Sequence, residues 1–256
     1  MGIAVITGSA SGIGAAVKQR FEAEGFETIG VDIRNADIEA DLSTKDGRAS
    51  AVAEILTRSG GTLDRLVLCA GLGSSIKPAS LICRVNYFGV VDVLDPLLSA
   101  LTRGTDPNAV VICSNSAQMG DFTDDPYVLA MLAHDEAAAC ELIDKDENSI
   151  LAYMGSKNAV GRAVRRRAGE WGRASVRLNA VCPGPVNTPL LQGCIDDPLT
   201  AGAIESLSIP LGRRGEPEDV AKTVWFLSAP EQAGWIHGSV LYVDGGNDAE
   251  IRPDRY

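Results

Sequence analysis

Thr7-Gly8-Ser9-Ala10-Ser11-Gly12-Ile13-Gly14 lies between an apolar, β-branched run, Ile3 to Thr7, and a stretch of helical periodicity, Ala15 to Glu24. Glycines at 8, 12 and 14 let the backbone turn sharply and approach a pyrophosphate. The helix that follows offers unsatisfied N–H groups and the positive end of its dipole. The spacing Gly-x-x-x-Gly-x-Gly departs from the general Gly-x-Gly-x-x-Gly pattern, so position carries the reading: the loop follows a strand, opens a helix, and precedes a second apolar run, Glu27 to Ile33. Asp32 near the end of that run can accept both ribose hydroxyls of an adenosine and would repel a 2′-phosphate. NAD is therefore favoured over NADP, although Arg34 stands close enough to accommodate such a phosphate.

Outward from this unit, strand signals at Arg65 to Cys69, Ala109 to Cys113, Ser175 to Val181 and Ser239 to Val243 alternate with helical stretches. These run over Gly47 to Ser59, Ala79 to Leu101, Leu151 to Gly172 and Glu216 to Ser228. Alternation of this kind predicts an α/β chain: a single-domain, Rossmann-type doubly wound parallel sheet covered by helices on both faces. Its 256 residues, 45% of them hydrophobic, suffice for one large core. Ligands on such sheets bind beyond the carboxyl ends of the strands.

A net charge of −11 opposes binding to nucleic acid or to anionic membranes and suits a small, uncharged substrate. No run of eighteen apolar residues occurs, and Met1-Gly2-Ile3-Ala4-Val5 passes directly into a strand, so a cytoplasmic protein is expected. Six cysteines without a Cys-x-x-Cys, and two isolated histidines, predict packed thiols rather than a metal site or a disulfide framework. Arg162, Arg165, Arg166, Arg167, Arg173 and Arg177 read as a solvated or acid-paired helix face.

Tyr153 and Lys157, four residues apart, share one face of the predicted Leu151 to Gly172 helix. A free tyrosine titrates near about 10, too high for a base at neutrality, but an adjacent ammonium and a cationic nicotinamide would both favour the phenolate. Tyr153 thus suits the transfer of an alcohol proton while a nicotinamide carries the hydride. Lys157 can also hold the nicotinamide ribose. Ser114, at the end of a predicted strand, would hydrogen-bond the substrate oxygen.

With these features together, nearly the entire chain resembles the short-chain dehydrogenase/reductase family. Thr-Gly-x-x-x-Gly-Ile-Gly at residues 7–14 is that family's glycine loop, so Gly8, Ser11, Gly12, Ile13 and Gly14 are implied to face the cofactor, with Asp32 and Ile33 at its adenosine end. Asp41-Leu42 is similar to the adenine-contacting pair, and Cys69-Ala70-Gly71 to an Asn-Ala-Gly segment whose Asn is replaced here. The resemblance further implies Asn86, Ser114, Tyr153 and Lys157 as the catalytic set, Asn86 supporting a water that connects Lys157 to solvent. Pro183-Gly184 with Thr188 would touch the nicotinamide. Longer stretches, including Val85-Asn86-Tyr87-Phe88-Gly89 and Thr188-Pro189-Leu190-Leu191-Gln192, are similar to the family's hydroxysteroid dehydrogenase/carbonyl reductase branch. Members that oxidise aryl alcohols share much of the pattern.

Two regions set the chain apart. Between Ser114 and Tyr153 lie 38 residues, far more than in most family members, and the excess at 118–150 carries nine carboxylates against one lysine, Lys145. Tyr127, Val128, Leu129, Met131, Leu132, Leu142 and Ile143 are spaced for two short amphipathic helices. This helical insertion is expected to pack beside the active-site mouth and over a face that relatives use to associate, leaving a homodimer. Residues 187–213 are apolar for a loop of that length, with Leu190, Leu191, Ile195, Leu199, Ile204, Leu207 and Ile209, and read as a lid over a small apolar alcohol or ketone. A non-catalytic dinucleotide-binding regulator is the alternative of another class.

Overall fold

Among the described residues, seven short strands pair side by side, all parallel, in the order β3-β2-β1-β4-β5-β6-β7, numbered along the chain. The computed structural model describes residues 2–255. In chain order it contains β1 (Ile3–Thr7), α1 (Gly12–Ala23), β2 (Glu27–Asp32), β3 (Ile38–Glu39), α2 (Lys45–Arg58), β4 (Arg65–Leu68), α3 (Ala79–Cys83), a π turn (Arg84–Phe88), α4 (Gly89–Leu101) and β5 (Asn108–Ile112). A 3-10 turn (Asn115–Gln118), α5 (Pro126–Leu132), α6 (Glu136–Asp146), α7 (Ser149–Arg173) and β6 (Arg177–Pro183) follow. The chain ends with α8 (Pro189–Asp196), α9 (Ala201–Glu205), α10 (Pro217–Ser228), α11 (Pro230–Ala233), β7 (Val240–Val243) and α12 (Asn247–Ile251).

The period of two along each strand sorts the core into two layers. Val5, Leu66, Leu68, Ala109, Val111, Leu178 and Ala180 point to one face, where α2, α4 and α7 supply Ile55, Leu94, Leu97, Val160 and Val164. Ala4, Ile6, Val67, Val110, Ile112 and Val181 point to the other, against Val17 and Phe21 of α1 and Val220, Val224 and Leu227 of α10. The strand order reverses where β1 lies between β2 and β4, and the crevice above that point is where such sheets take ligands.

Some boundaries differ from the sequence expectation. The stretch Ala79 to Leu101 is not one regular helix, because the π turn at Arg84–Phe88 interrupts it and carries Asn86. The sixth strand begins at Arg177 rather than Ser175, since Ser175 takes a φ of 59° in turning out of α7. Arg177 therefore belongs to β6, not to the arginine-bearing helix, and its guanidinium donates to the carbonyls of Leu227 and Ala233. Arg162 and Arg165 likewise donate to carbonyls of Phe122 and Gly238, while Arg167 grips Asp95 with two bonds of 2.6 Å. The short strand β3 has no counterpart in the sequence reading.

Residues 118–150 do form two short helices. Asp125 accepts from Val128 N–H and Asp135 from Ala138 N–H, each at 3.0 Å, so two of the insertion's acids act as helix caps. Tyr127, Val128 and Met131 of α5 and Ala139, Cys140 and Ile143 of α6 turn inward, whereas Leu129 and Leu142 face solvent. The insertion is pinned by a buried charge cluster. Arg48 of α2, fully inside, lies 2.8 Å from Asp92 of α4 and 2.6 Å from Glu136 of α6, and also donates to the Leu42 carbonyl. Burial raises the Asp92 pKa, with Arg48 opposing it. Removing Arg48 leaves two carboxylates without their buried counter-charge. Arg48→Ala is therefore expected to lower unfolding stability by about 3–5 kcal/mol, read from urea denaturation. A midpoint equal to wild type would show that the cluster does not hold the insertion.

Candidate active site

The groove above β1 is made by backbone approaching backbone. Gly8, at φ +69°, donates its N–H to Val31 at 2.8 Å, and a Cβ on it would lie 2.7 Å from the Ala70 nitrogen. A Cβ on Gly14 would collide with the Gly8 carbonyl. Ser11 begins α1 without a side-chain cap, so it does not take up the helix's first amides. A concave surface closed to side chains, with free amides at a helix N-terminus, fits the pyrophosphate of a dinucleotide. Asp32 stands at the far end, its two carboxylate oxygens accepting from Ala10 N–H at 2.9 Å and Ile33 N–H at 2.7 Å. It is oriented by the turn it faces and keeps lone pairs for a ribose diol.

Gly8, Ser11, Gly12, Ile13, Gly14, Asp32, Ile33, Asp41, Leu42, Ala70, Gly71 and Thr188 all line this groove, of about 360 Å³. Ala40, Ser43, Leu81 and Val85 also wall it and were not named from the sequence. They come from the β3 edge and the 78–88 segment, whose approach depends on long-range packing that no local pattern encodes. Pro183 and Gly184 sit farther along, in a second cavity of about 290 Å³ that shares Ile13, Cys69, Gly71, Thr188 and Leu190 with the groove. The two spaces are thus one cleft.

Ser114, Tyr153 and Lys157 meet in that second cavity. Ser114, two residues beyond β5, is the N-cap of the 3-10 turn, its Oγ 2.9 Å from the Ser116 hydroxyl and accepting Ser116 N–H at 3.2 Å. Lys157 is buried beneath the cavity and donates from Nζ to the Ile112 carbonyl at 2.9 Å. Burial lowers its pKa, while the thiols of Cys113, Cys182 and Cys69 around it pull the other way. Burial also pushes the Tyr153 phenol up to about 12, with the Ser114 hydroxyl opposing. The spacing predicts that Lys157 favours the phenolate. In the folded chain burial is the largest influence on the phenol and acts against that preference, while the ammonium is held on the Ile112 carbonyl.

Asn86 lies behind the cleft rather than in it. Its Oδ1 accepts Leu72 N–H at 2.7 Å, and its Nδ2 donates to the Leu72 carbonyl at 3.1 Å and to the Ser156 hydroxyl at 3.2 Å. A Cβ on Gly71 would be 3.3 Å from Asn86 Oδ1 and 3.5 Å from Lys157 Nζ, so both side chains close on the same glycine. Asn86 braces the Gly71-Leu72 turn.

The rest of the cavity wall is mostly apolar: Met119, Ile150 and Met154 on one side, Leu190, Leu191, Ile204 and Leu207 from the 187–213 segment on the other. Leu199, read as part of that apolar surface, is turned out to solvent. Cys194 touches the Ser74 hydroxyl at 3.6 Å, and Gly73 leaves just enough room for Leu190 and Cys194 against the 71–75 loop.

Residues 2–130 match the "short chain dehydrogenase" family model, and residues 141–248 match the model described as "Enoyl-(Acyl carrier protein) reductase". Over 258 aligned residues spanning 100% of both proteins, the chain is 44% identical to the 3-alpha-hydroxysteroid dehydrogenase/carbonyl reductase of Comamonas testosteroni. It is 30% identical to 3beta-hydroxysteroid dehydrogenase 1 of Eggerthella lenta, over 94% of this chain and 92% of that one. Its fold superposes with a TM-score of 0.97 and 49% identity on the crystal structure of the 3-alpha-hydroxysteroid dehydrogenase from Pseudomonas sp. B-0831 complexed with NADH, over 99% of this chain and 100% of the other.

Proposed function

The chain belongs to the short-chain dehydrogenase/reductase family, and within it we propose that this enzyme interconverts a secondary alcohol and a ketone on an apolar, ring-bearing substrate, as a 3α-hydroxysteroid dehydrogenase/carbonyl reductase with NAD(H). One observation carries the reading: the groove that ends at Asp32 and the apolar cavity that holds Ser114, Tyr153 and Lys157 are continuous. Bound NAD would supply the hydride acceptor or donor and, when oxidised, a positive charge at the nicotinamide end of the cleft. Gly8, Ser11, Gly12, Ile13 and Gly14 would seat the pyrophosphate. Asp32 and Ile33 would take the adenosine ribose, Asp41 and Leu42 the adenine side, and Ala70, Gly71, Pro183, Gly184 and Thr188 the inner half.

Tyr153 holds or accepts the alcohol proton at its phenol oxygen, and the Ser114 hydroxyl fixes the substrate oxygen beside it. Lys157 orients the nicotinamide ribose and adds a buried cation under the site. Residues 187–213 act as a lid whose inner surface, through Leu190, Leu191, Ile204 and Leu207, excludes water and selects for hydrocarbon rings. The free state of all six cysteines fits a reducing compartment and so a cytoplasmic enzyme.

For assembly, we read a homodimer. The insertion helices pack against α7, where Arg166 donates to the Leu132 carbonyl, and so cover one face of that helix. Edge strand β7 exposes Leu241, and Trp235 just before it is 99% exposed. An uncovered edge with large apolar side chains favours pairing with a second copy there.

Four outcomes test these readings. Mixed with NAD and a panel of androsterone, coniferyl alcohol and simple cyclic alcohols, the enzyme should produce NADH fluorescence most rapidly with androsterone. Tyr153→Phe should still bind cofactor but lose turnover by roughly 10²–10⁴-fold. Turnover with coniferyl alcohol alone would move the assignment to the aryl-alcohol members, and a near-normal Tyr153→Phe rate would remove the proton role. The pH profile follows from the raised phenol pKa: oxidation needs the deprotonated form, so its kcat/KM should climb from neutral into the alkaline range, by up to about tenfold per pH unit. Ketone reduction needs the protonated form and should stay flat, then fall. An oxidation rate independent of pH would contradict a buried tyrosine base. Light scattering at micromolar concentration should give a dimer mass, and a tetramer would exclude the assembly proposed here.

A further inference from the structure

Away from the cleft, two thiols face each other across the seam between the insertion and the body of the fold. Cys83 ends α3, directly before the π turn that carries Asn86, and Cys140 lies within α6. Both are buried and unbridged, and their sulfurs are 3.9 Å apart. Arg84, which reaches toward solvent, places its Nε 3.3 Å from the Cys140 sulfur and 3.9 Å from Glu136.

A thiol buried in apolar surroundings is inert, whereas one beside a guanidinium readily ionises and becomes a nucleophile. Hydrogen bonding from Cys83 and from Arg84 holds the Cys140 thiol below the ordinary cysteine range, against burial and Glu136. The same sulfur contact and burial push Cys83 up, with Tyr127 and Arg84 pulling the other way, so Cys83 keeps its proton. The pair is therefore asymmetric: one sulfur is prepared to attack and the other to follow. Cys69, Cys113 and Cys182 surround Lys157 instead, and Cys194 packs on Ser74.

We propose that Cys140 and Cys83 form a dithiol site that reacts with hydroperoxides, Cys140 as the attacking sulfur and Cys83 as the resolving one. The Cys140 thiolate attacks one peroxide oxygen, the O–O bond breaks, and the products are a Cys140 sulfenic acid and hydroxide, which takes up the proton Cys140 had released. The Cys83 sulfur then attacks the sulfenic sulfur. An S–S bond forms, and the departing hydroxyl leaves as water with the Cys83 proton. Two thiols are oxidised by two electrons in all, and one hydrogen peroxide is reduced to two waters. The product ties α6 covalently to α3 and the π turn.

The test uses fully reduced enzyme given stoichiometric hydrogen peroxide, alkylated, digested and mapped by mass spectrometry. The expected product joins the Cys83 and Cys140 peptides with the loss of two hydrogens, leaves the other cysteines alkylated, and reverts with dithiothreitol. In Cys83→Ser the reaction should stop at a Cys140 sulfenic acid trapped by dimedone. Arg84→Gln should slow thiol loss about tenfold or more at neutral pH. Oxidation that falls first on Cys69, Cys113, Cys182 or Cys194, or the absence of both the Cys83–Cys140 link and the dimedone adduct, overturns the proposal. These readouts require no turnover, so they stand or fall separately from the assigned reaction.

Discussion

Everything in the cleft depends on how closely three pieces of backbone meet where β1 ends. Gly8 must pass Ala70, and the first turn of α1 must pass Gly8, at separations that admit no Cβ on Gly8 or Gly14. That contact fixes the angle at which α1 leaves the sheet, and with it the direction of its amides. It also sets Cys69-Ala70-Gly71 at the height where Asn86 and Lys157 can close on Gly71 from behind. A displacement here would move the anion seat, the turn that Asn86 braces and the floor of the apolar cavity together.

Above that floor the electrostatics run against ionisation at two neighbouring groups. Burial opposes the charged form of Tyr153 and of Lys157 alike, and main-chain and hydroxyl partners hold the two in place. Such a site is tuned by whatever charge is brought to it, because low dielectric magnifies each added cation or anion. The chain supplies a buried ammonium, a phenol and a hydroxyl in a fixed arrangement, walled by apolar side chains from Met119, Ile150, Met154 and the α8–α9 segment.

Much of this was legible in the sequence because it is local. The glycine loop, the acid at the end of β2 and the four-residue spacing of Tyr153 and Lys157 each depend on one strand, turn or helix whose period can be counted. The helix caps Asp125, Asp135 and Asn148 emerge only from the structure, although each stands just ahead of an apolar period. What escaped depends on contacts between distant segments. The π turn at Arg84–Phe88 has no composition of its own, and it is tertiary packing that lets Asn86 reach Leu72 and Ser156 there. Likewise, that Lys157 spends its ammonium on Ile112 could not be foreseen from helical spacing, because β5 lies 45 residues away along the chain. On α6 it is Cys140 that turns inward, as a packed thiol, while Leu142 two residues on faces out.

Thr188 caps α8 by accepting the Leu191 N–H, and the same side chain is the nearest neighbour of Gly12 in the glycine loop. The first turn of α8 therefore rests on the glycine loop. Two ligands whose sites share a wall in this way are thermodynamically linked: if filling the groove steadies α8, it raises affinity for a molecule in the adjoining cavity, and that molecule must raise affinity in the groove by the same factor. The enzyme's affinities for its cofactor and for its alcohol are then a single joint property, set at the contact between one threonine and one glycine.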